Sequence, residues 1–527
     1  MEGESLRTNA DDVSLLLAAA SEFASYPGMQ TDASVKEFLD RFPLSVVISA
    51  LQTEADAPEV ESTLVSCLER IFKTKYGSFF IPQYMPFVHV GLQTDSQIIR
   101  CLACKVVSCL LENVDVDGDN AVKLLIEYNI YPLLINCLIN GDELLSSAST
   151  DAIITLAKSL KGLDVIFLKN PSETTHFKSI AARCSSLARI RVFALIVKLF
   201  SVSSSVASAV YDSDLLTLIE SEVHASDMLL TLSAFELLYE LAESPNAMKF
   251  LSRTKFLQLL VSTISDLSVD SVIRSRALSI CGRLLSSNDM LKIVDQTSLK
   301  NLLLAIDGRL ESLKNQGTDE CECALEVLGH IGSSNQGAIL LLLHSPPLAR
   351  HVVEAAFDQL VRGKQLAALH ALADISGEKR SESQKLLNSD AEECLRHLIY
   401  TAAGNSSKLT PSGLFLSVLR QDSEIRLAAY RMISGLVARH WCLLEVCSKQ
   451  DIIDMVTNPQ IETTKIGMEA RFNCCTAINK AFLLSTSLSG AAFSEVASKL
   501  QEAIRRGPYL TRERAEAVPI VATADRF

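Results

Sequence analysis

An all-α solenoid is the fold this sequence predicts, and three observations predict it. A pattern of forty-odd residues recurs along nearly the whole chain. Its clearest copies are Asp270-Ser-Val-Ile-Arg274-Ser-Arg-Ala277 and Asp422-Ser-Glu-Ile-Arg426-Leu-Ala-Ala429, with a looser copy at Asp95-Ser-Gln-Ile-Ile-Arg100-Cys-Leu-Ala103. Each copy ends in a small residue followed by apolar residues at helical spacing. The composition agrees: 48% of the 527 residues are hydrophobic but only 6% are aromatic. Thin helices packed on helices need Leu and Ala more than large rings. A helical repeat of this length buries its apolar face only by stacking on its neighbours.

The repeats align on the small residue of the second helix. The positions are Thr63, Ala103, Ala152, Ala194, Ala234, Ala277, Ala324, Ala367, Ala429 and Ala470, with successive steps of 40, 49, 42, 40, 43, 47, 43, 62 and 41 residues. Apart from the 62-residue step, these fit armadillo and HEAT units of about 40 to 47 residues. The expectation is an armadillo/HEAT-like superhelix of roughly ten repeats over residues 1–506. Residues 378–415 are expected to be an irregular insertion and 507–527 a flexible tail.

Each element has a local reason. The Asp or Ser that opens a unit is a natural N-cap, because its side chain accepts from orphan backbone N–H groups. After Ala277 come Leu278, Ile280, Cys281, Leu284 and Leu285, and after Ala103 come Val106, Val107, Leu110 and Leu111. These offsets place one apolar stripe on one helix face. The Arg four or five residues after the opening Asp is expected to pair with the Asp of its own or the next repeat. Turn residues separate the units, at 115–120, Gly141-Asp142, Ser244-Pro-Asn, Ser286-Ser-Asn-Asp, Asn315-Gln-Gly-Thr and Asn458-Pro. Residues 166–180, with Pro171, read as a further irregular connection.

Charge and motifs exclude several functions. Net charge is −13, and no run of Lys and Arg forms the footprint that nucleic acid needs. The acidic start and the short apolar runs predict neither a secretory leader nor a membrane span. Fourteen scattered cysteines read as reduced thiols of the cytoplasm, with a nuclear pool left open. Cys101-Leu-Ala-Cys104 has the spacing of a metal or redox pair but no second pair to complete a zinc site. Gly329, Gly332 and Gly337 lack the flanking strand and Gly-Lys-Ser/Thr of a phosphate loop and read as a helix junction. No Gly-x-Ser-x-Gly or His-Glu-x-x-His appears. No catalytic, cofactor or metal residues are therefore assigned, and the chain is expected not to be an enzyme. The single tryptophan, Trp441, is expected to anchor a helix contact.

Several segments carry a family resemblance. Leu328-Gly-His-Ile-Gly-Ser-Ser-Asn-Gln-Gly-Ala-Ile-Leu-Leu resembles the glycine-rich helix junction of the proteasome non-ATPase regulatory subunit 5 family. Ser412-Gly-Leu-Phe-Leu through Asp422-Ser-Glu-Ile-Arg-Leu-Ala-Ala-Tyr, then Trp441, is similar to its late repeat. Ile452-Ile-Asp-Met-Val and Gln501-Glu-Ala-Ile-Arg-Arg-Gly-Pro-Tyr-Leu are similar to its end. The resemblance implies a chaperone for assembly of the proteasome regulatory-particle base, absent from the finished particle. Such a protein would hold the C-terminal domain of one base ATPase with associated non-ATPase subunits, and would be monomeric when free. A generic cytosolic interaction scaffold is the alternative. From spacing alone, Glu236, Glu240, Glu326 and His330 stand two and six residues after Ala234 and Ala324. They are the candidate partner-binding residues, an acidic strip suited to a basic partner.

Overall fold

The computed structural model describes residues 2–53, 58–112, 118–167, 176–223, 227–244, 246, 255–485 and 493–509. The turns expected at 115–120 and 244–246, most of the connection at 166–180 and the tail from 510 therefore lie wholly or partly outside the described residues. Among the described residues every regular element is helical. The chain forms two compact units, Met1–Arg253 and Thr254–Phe527.

All ten small-residue positions fall in ten helices that stack in series within their units. In the first unit these are α1 (Pro58–Phe72), α2 (Gln97–Glu112), α3 (Glu143–Ala157), α4 (Ser186–Phe200) and α5 (Met228–Glu243). Each packs on the next. In the second unit they are α6 (Ser271–Ser286), α7 (Asp319–Gly332), α8 (Arg362–Ile375), α9 (Ser423–Leu436) and α10 (Lys465–Leu484), again each on the next. The remaining helices back this stack, as Ile130–Asn140 does against α3 and α4.

The buried stripe fixes the register. Ala103, Ala234, Ala277, Ala324 and Ala429 are buried, with buried residues three, four and seven positions on. The same test moves five positions: Thr63 to Leu64, Ala152 to Ser149, Ala194 to Val192, Ala367 to Ala368 and Ala470 to Arg471. A small side chain is needed only where backbones approach closely. Gly329 of α7 marks one such place, since a Cβ there would lie 2.8 Å from the Ala371 Cα of α8.

Capping follows the expected chemistry with one shift. Asp270 accepts from Val272 N, and Asp422 accepts from Glu424 N and Ile425 N. In the looser copy Ser96, not Asp95, faces the first turn and accepts from Ile99 N. That copy carries one extra residue before its helix. Counted from the helix start, Arg100, Arg274 and Arg426 then occupy the same fourth position.

These arginines do not pair with a repeat Asp, as the sequence suggested, but reach into the next repeat. Arg274 donates through Nε and Nη2 to Glu320 Oε1 and Oε2 at 2.9 and 3.0 Å. Its Nη1 donates to Val269 O, five residues back. Arg426 makes the same pair of contacts, to Glu462 and to Gln421 O. Arg189, at the fourth position of α4, pairs with Glu222 at 2.8 Å. Arg100 contacts Cys137 Sγ at 3.5 Å. The cap Asp270 and Asp422 side chains are engaged with backbone N–H groups, and Asp422 also receives Arg362, at the start of α8 in the preceding repeat.

The stretch 378–415 is largely regular, contrary to the sequence reading. It holds a helix, Ser389–Gly404, capped by Asn388 and burying Ala391, Leu395, Ile399 and Ala403. This helix packs on Asn335–Leu343 and Ala349–Ala356, and it accounts for the long repeat step. The start of the expected tail is also held: Arg471 donates to Pro508 O, and the Tyr509 hydroxyl donates to Glu469. Trp441 does anchor a helix contact, its ring 5.7 Å from that of Tyr400.

Burial alone would raise the Glu320 carboxyl, but hydrogen bonds from Arg309 and Arg274 outweigh it and hold it at about 2. A folded pKa below the unfolded value gives stability that is present above about pH 4.5 and is lost as pH falls toward 2. Glu320→Ala leaves two arginines without their carboxylate and is expected to destabilise the second unit by about 3–5 kcal/mol. Denaturation followed by Trp441 fluorescence checks both. Wild type should lose stability between about pH 4.5 and 2, and the variant should lose much less over that window.

Candidate partner-binding surface

One face of each serial helix holds the positions two and six residues after the buried small residue, which are both exposed on α5 and α7 and mostly half-buried on the other serial helices. Glu236 and Glu240 on α5, and Glu326 and His330 on α7, are all exposed there, as their spacing predicted. The two pairs belong to different units.

In the first unit this face forms a groove of about 780 Å³ across α1, α2 and α3. Its walls carry Lys73, Lys75, Lys105 and Lys158 beside Glu69, Glu112 and Asp151. Glu69 sits between two of the lysines, 2.7 Å from Lys73 Nζ and 2.8 Å from Lys105 Nζ. Burial would raise its carboxyl, but the two lysine hydrogen bonds hold it below the usual range. The thiols of Cys101 and Cys109 also line the groove. Burial raises both, Cys109 to about 11, so they are poor nucleophiles near neutrality. The groove is a mixed-charge surface, and none of Glu236, Glu240, Glu326 and His330 lines it.

In the second unit Glu326 and His330 open a row that continues through His370 and Asp374 of α8 to Arg431 of α9. Arg431 Nη2 donates to Asp374 Oδ1 at 3.0 Å and to Glu378 Oε2 at 3.2 Å. Its Nη1 lies 2.6 Å from His370 Nδ1. A guanidinium can only donate, so Nδ1 accepts and the imidazole proton sits on Nε2. Burial, and then the Arg431 charge, hold the His370 ring below the usual imidazole range. The acidity of this row is thus partly neutralised at its far end. Sequence reading missed the cluster because it counted from Ala367. The true register, from Ala368, places half-buried His370 and Asp374 two and six residues on.

A second groove, of about 670 Å³, lies between the end of α9 and α10. Val437, Leu443, Ala477, Ala481 and Leu484 line it, with Lys385 and Lys480 both paired to Glu382 at its rim. Among the described residues no group of three His, Cys, Asp or Glu is placed to hold a metal ion. Cys101 and Cys104 lie inside α2, with Cys104 fully buried. Among the described residues no single helix is long and apolar enough to cross a membrane. One bent pair, Asn120–Glu127 with Ile130–Asn140, is apolar enough when taken together, and Ile130, Leu134, Cys137 and Leu138 of it are buried in the stack.

Comparison with known proteins agrees with this architecture. The family described as proteasome non-ATPase 26S subunit matches residues 28–526. The 26S proteasome non-ATPase regulatory subunit 5 of Bos taurus is 20% identical over 475 residues, covering 88% of each chain. That of Homo sapiens is 18% identical over 461 residues, covering 86% of each. Among solved structures, a mutant of Kap121p aligns with 98% of this chain and 53% of its own length. Its TM-score is 0.51 at 12% identity, a likeness of fold alone. The fold is the armadillo/HEAT-type α-solenoid.

The Arg431 cluster makes a direct prediction. Arg431→Ala removes a positive charge from beside His370 and leaves Asp374 and Glu378 facing it. The His370 pKa should rise toward or above the usual 6.5. Titration of the imidazole signals by NMR checks this; an unchanged His370 would show that the guanidinium contact is not made.

Proposed function

The chain belongs to the proteasome non-ATPase 26S subunit family, and from that membership we propose that it is a non-catalytic chaperone for assembly of the proteasome regulatory-particle base. Its clients are a base ATPase, held through the C-terminal domain, and the non-ATPase subunits that accompany it. The match along residues 28–526 carries this reading, because it spans both stacks rather than a single repeat.

The surface suits such work. A stack of parallel helices offers many shallow contacts in a row, which can grip a folded domain without a deep pocket. Glu236, Glu240, Glu326 and His330 are exposed on that face and are proposed as contacts to a basic client surface. Rim charges of this kind act mainly on encounter rate and salt dependence. As a chaperone the protein would leave before the particle is complete.

The expected result of a native pull-down with the tagged chain is recovery of base ATPases without core-particle subunits. A folded, well-recovered bait that brings down no proteasome subunit would leave a generic interaction scaffold as the better reading. Reversal of charge at Glu236 and Glu240 together should slow association with the ATPase about tenfold at low salt and flatten its salt dependence. Unchanged kinetics would remove those two residues from the contact.

A further inference from the structure

In the first unit, an apolar side chain stands exposed at the second position of four consecutive stacked helices. These are Ile98 of α2, Leu144 of α3, Leu187 of α4 and Leu229 of α5. Their exposures are 45, 75, 61 and 75%. The second position of a helix ordinarily favours polar or acidic residues, which meet the positive end of the helix dipole. In the second unit the position is mixed, with Glu320 in α7 and Glu424 in α9 but exposed Val272 in α6 and Ile466 in α10, so an unbroken series of apolar residues belongs to α2–α5. The four apolar residues do not serve the core, since each faces solvent.

Hydrogen bonds tie neighbouring helix starts together. Asp142 N, at the cap of α3, donates to Gln97 Oε1 at the first position of α2. Arg191 of α4 donates to Gly141 O, just before the α3 cap, at 2.7 Å. Arg189 of α4 pairs with Glu222, five residues before the Asp227 cap of α5. The four apolar side chains therefore form one row along the edge of the stack, one per repeat. Exposed acids rim the row: Asp95, Asp142, Glu143 and Asp227. Arg183, two residues before the Ser185 cap, is an exposed base at one step.

We propose that this row is a docking edge for an amphipathic helix bearing an aliphatic residue every seven positions and Lys or Arg on its flanks. The repeat spacing selects the partner. Stacked helices lie about 8–10 Å apart, and residues seven apart on a helix are separated by about 10.5 Å along its axis. One helix laid across the edge meets Ile98, Leu144, Leu187 and Leu229 in turn, at one heptad per repeat. The acidic rim faces the basic flanks of that helix. The mode is a helix lying with its apolar face on a receptive surface, here a ridge at helix starts that borders the groove of α1, α2 and α3 at Leu144. The inference does not depend on which client the protein serves.

The test uses the full chain and a fluorescent synthetic helix of 24 residues with Leu at every seventh position and Lys beside each Leu. A control peptide of identical composition has its Leu residues scattered around the helix. Fluorescence anisotropy should show the heptad peptide binding at least tenfold tighter than the control. Leu144→Glu, Leu187→Glu and Leu229→Glu combined should lower that affinity at least tenfold. The triple Ala variant, which keeps helix propensity, should also lose affinity. Circular dichroism should show unchanged helix content in both variants. Absent binding, equal binding of the two peptides, or undiminished binding to the variants would overturn the proposal. So would a concentration-dependent dimer of the wild type that the triple Glu variant abolishes, since the edge would then serve a second copy of this chain.

Discussion

The stack depends on an arginine at the fourth position of a serial helix, held between its own loop and the next repeat. Arg274 and Arg426 each donate back to a carbonyl five residues earlier and forward to a buried glutamate. Arg189 pairs forward with Glu222 in the same way. Apolar burial supplies most of the driving force for packing but does not fix how one repeat sits on the next. A buried ion pair does, because an arginine displaced from its partner leaves two desolvated charges. Arginine suits this position better than lysine, since its planar fork can hold a carboxylate with two nitrogens and a carbonyl with a third. Glu320 shows the full arrangement. Arg274 and Arg309 approach both of its oxygens from two different helices.

That constraint shapes the surfaces. Because the clamps sit at helix starts, the middles of the serial helices are free to present residues to solvent. In the first unit these line a groove with both signs of charge. In the second they form a row that begins acidic at Glu326 and ends at Arg431. The helix starts vary along the stack. In the second unit Glu320, at a second position, is drawn into the clamp. In α2, α3, α4 and α5 the same position carries an exposed aliphatic residue.

Much of the fold was legible because it rests on local rules. Asp270 and Asp422 cap, the stripes after Ala103, Ala234, Ala277, Ala324 and Ala429 are buried, and the stepping of small residues found all ten stacked helices. What was not legible depends on distance in sequence. Glu320 lies 46 residues beyond Arg274, Glu462 lies 36 beyond Arg426 and Glu222 lies 33 beyond Arg189. Intervening turns of different length destroy any fixed spacing, so no motif search could have paired them. The helix Ser389–Gly404 was overlooked because its polar composition hid an apolar residue at every fourth position. The candidate acids were exposed as expected, but Arg431 escaped notice because a one-residue error at Ala367 turned His370 and Asp374 away from the counted face. Leu144, Leu187 and Leu229 were not singled out, since sequence alone does not separate an apolar residue at a helix start from one on the buried face.

The claim that arginine clamps fix repeat on repeat is tested most directly by a double-mutant cycle on Arg274 and Glu320. Denaturant unfolding of wild type, Arg274→Ala, Glu320→Ala and the double variant, followed by Trp441 fluorescence, gives the coupling. The account predicts a coupling of about 2–3 kcal/mol, at the upper end for residues in direct contact. A value below about 0.5 kcal/mol, the level of independent sites, would contradict it and leave apolar packing alone to set the stack.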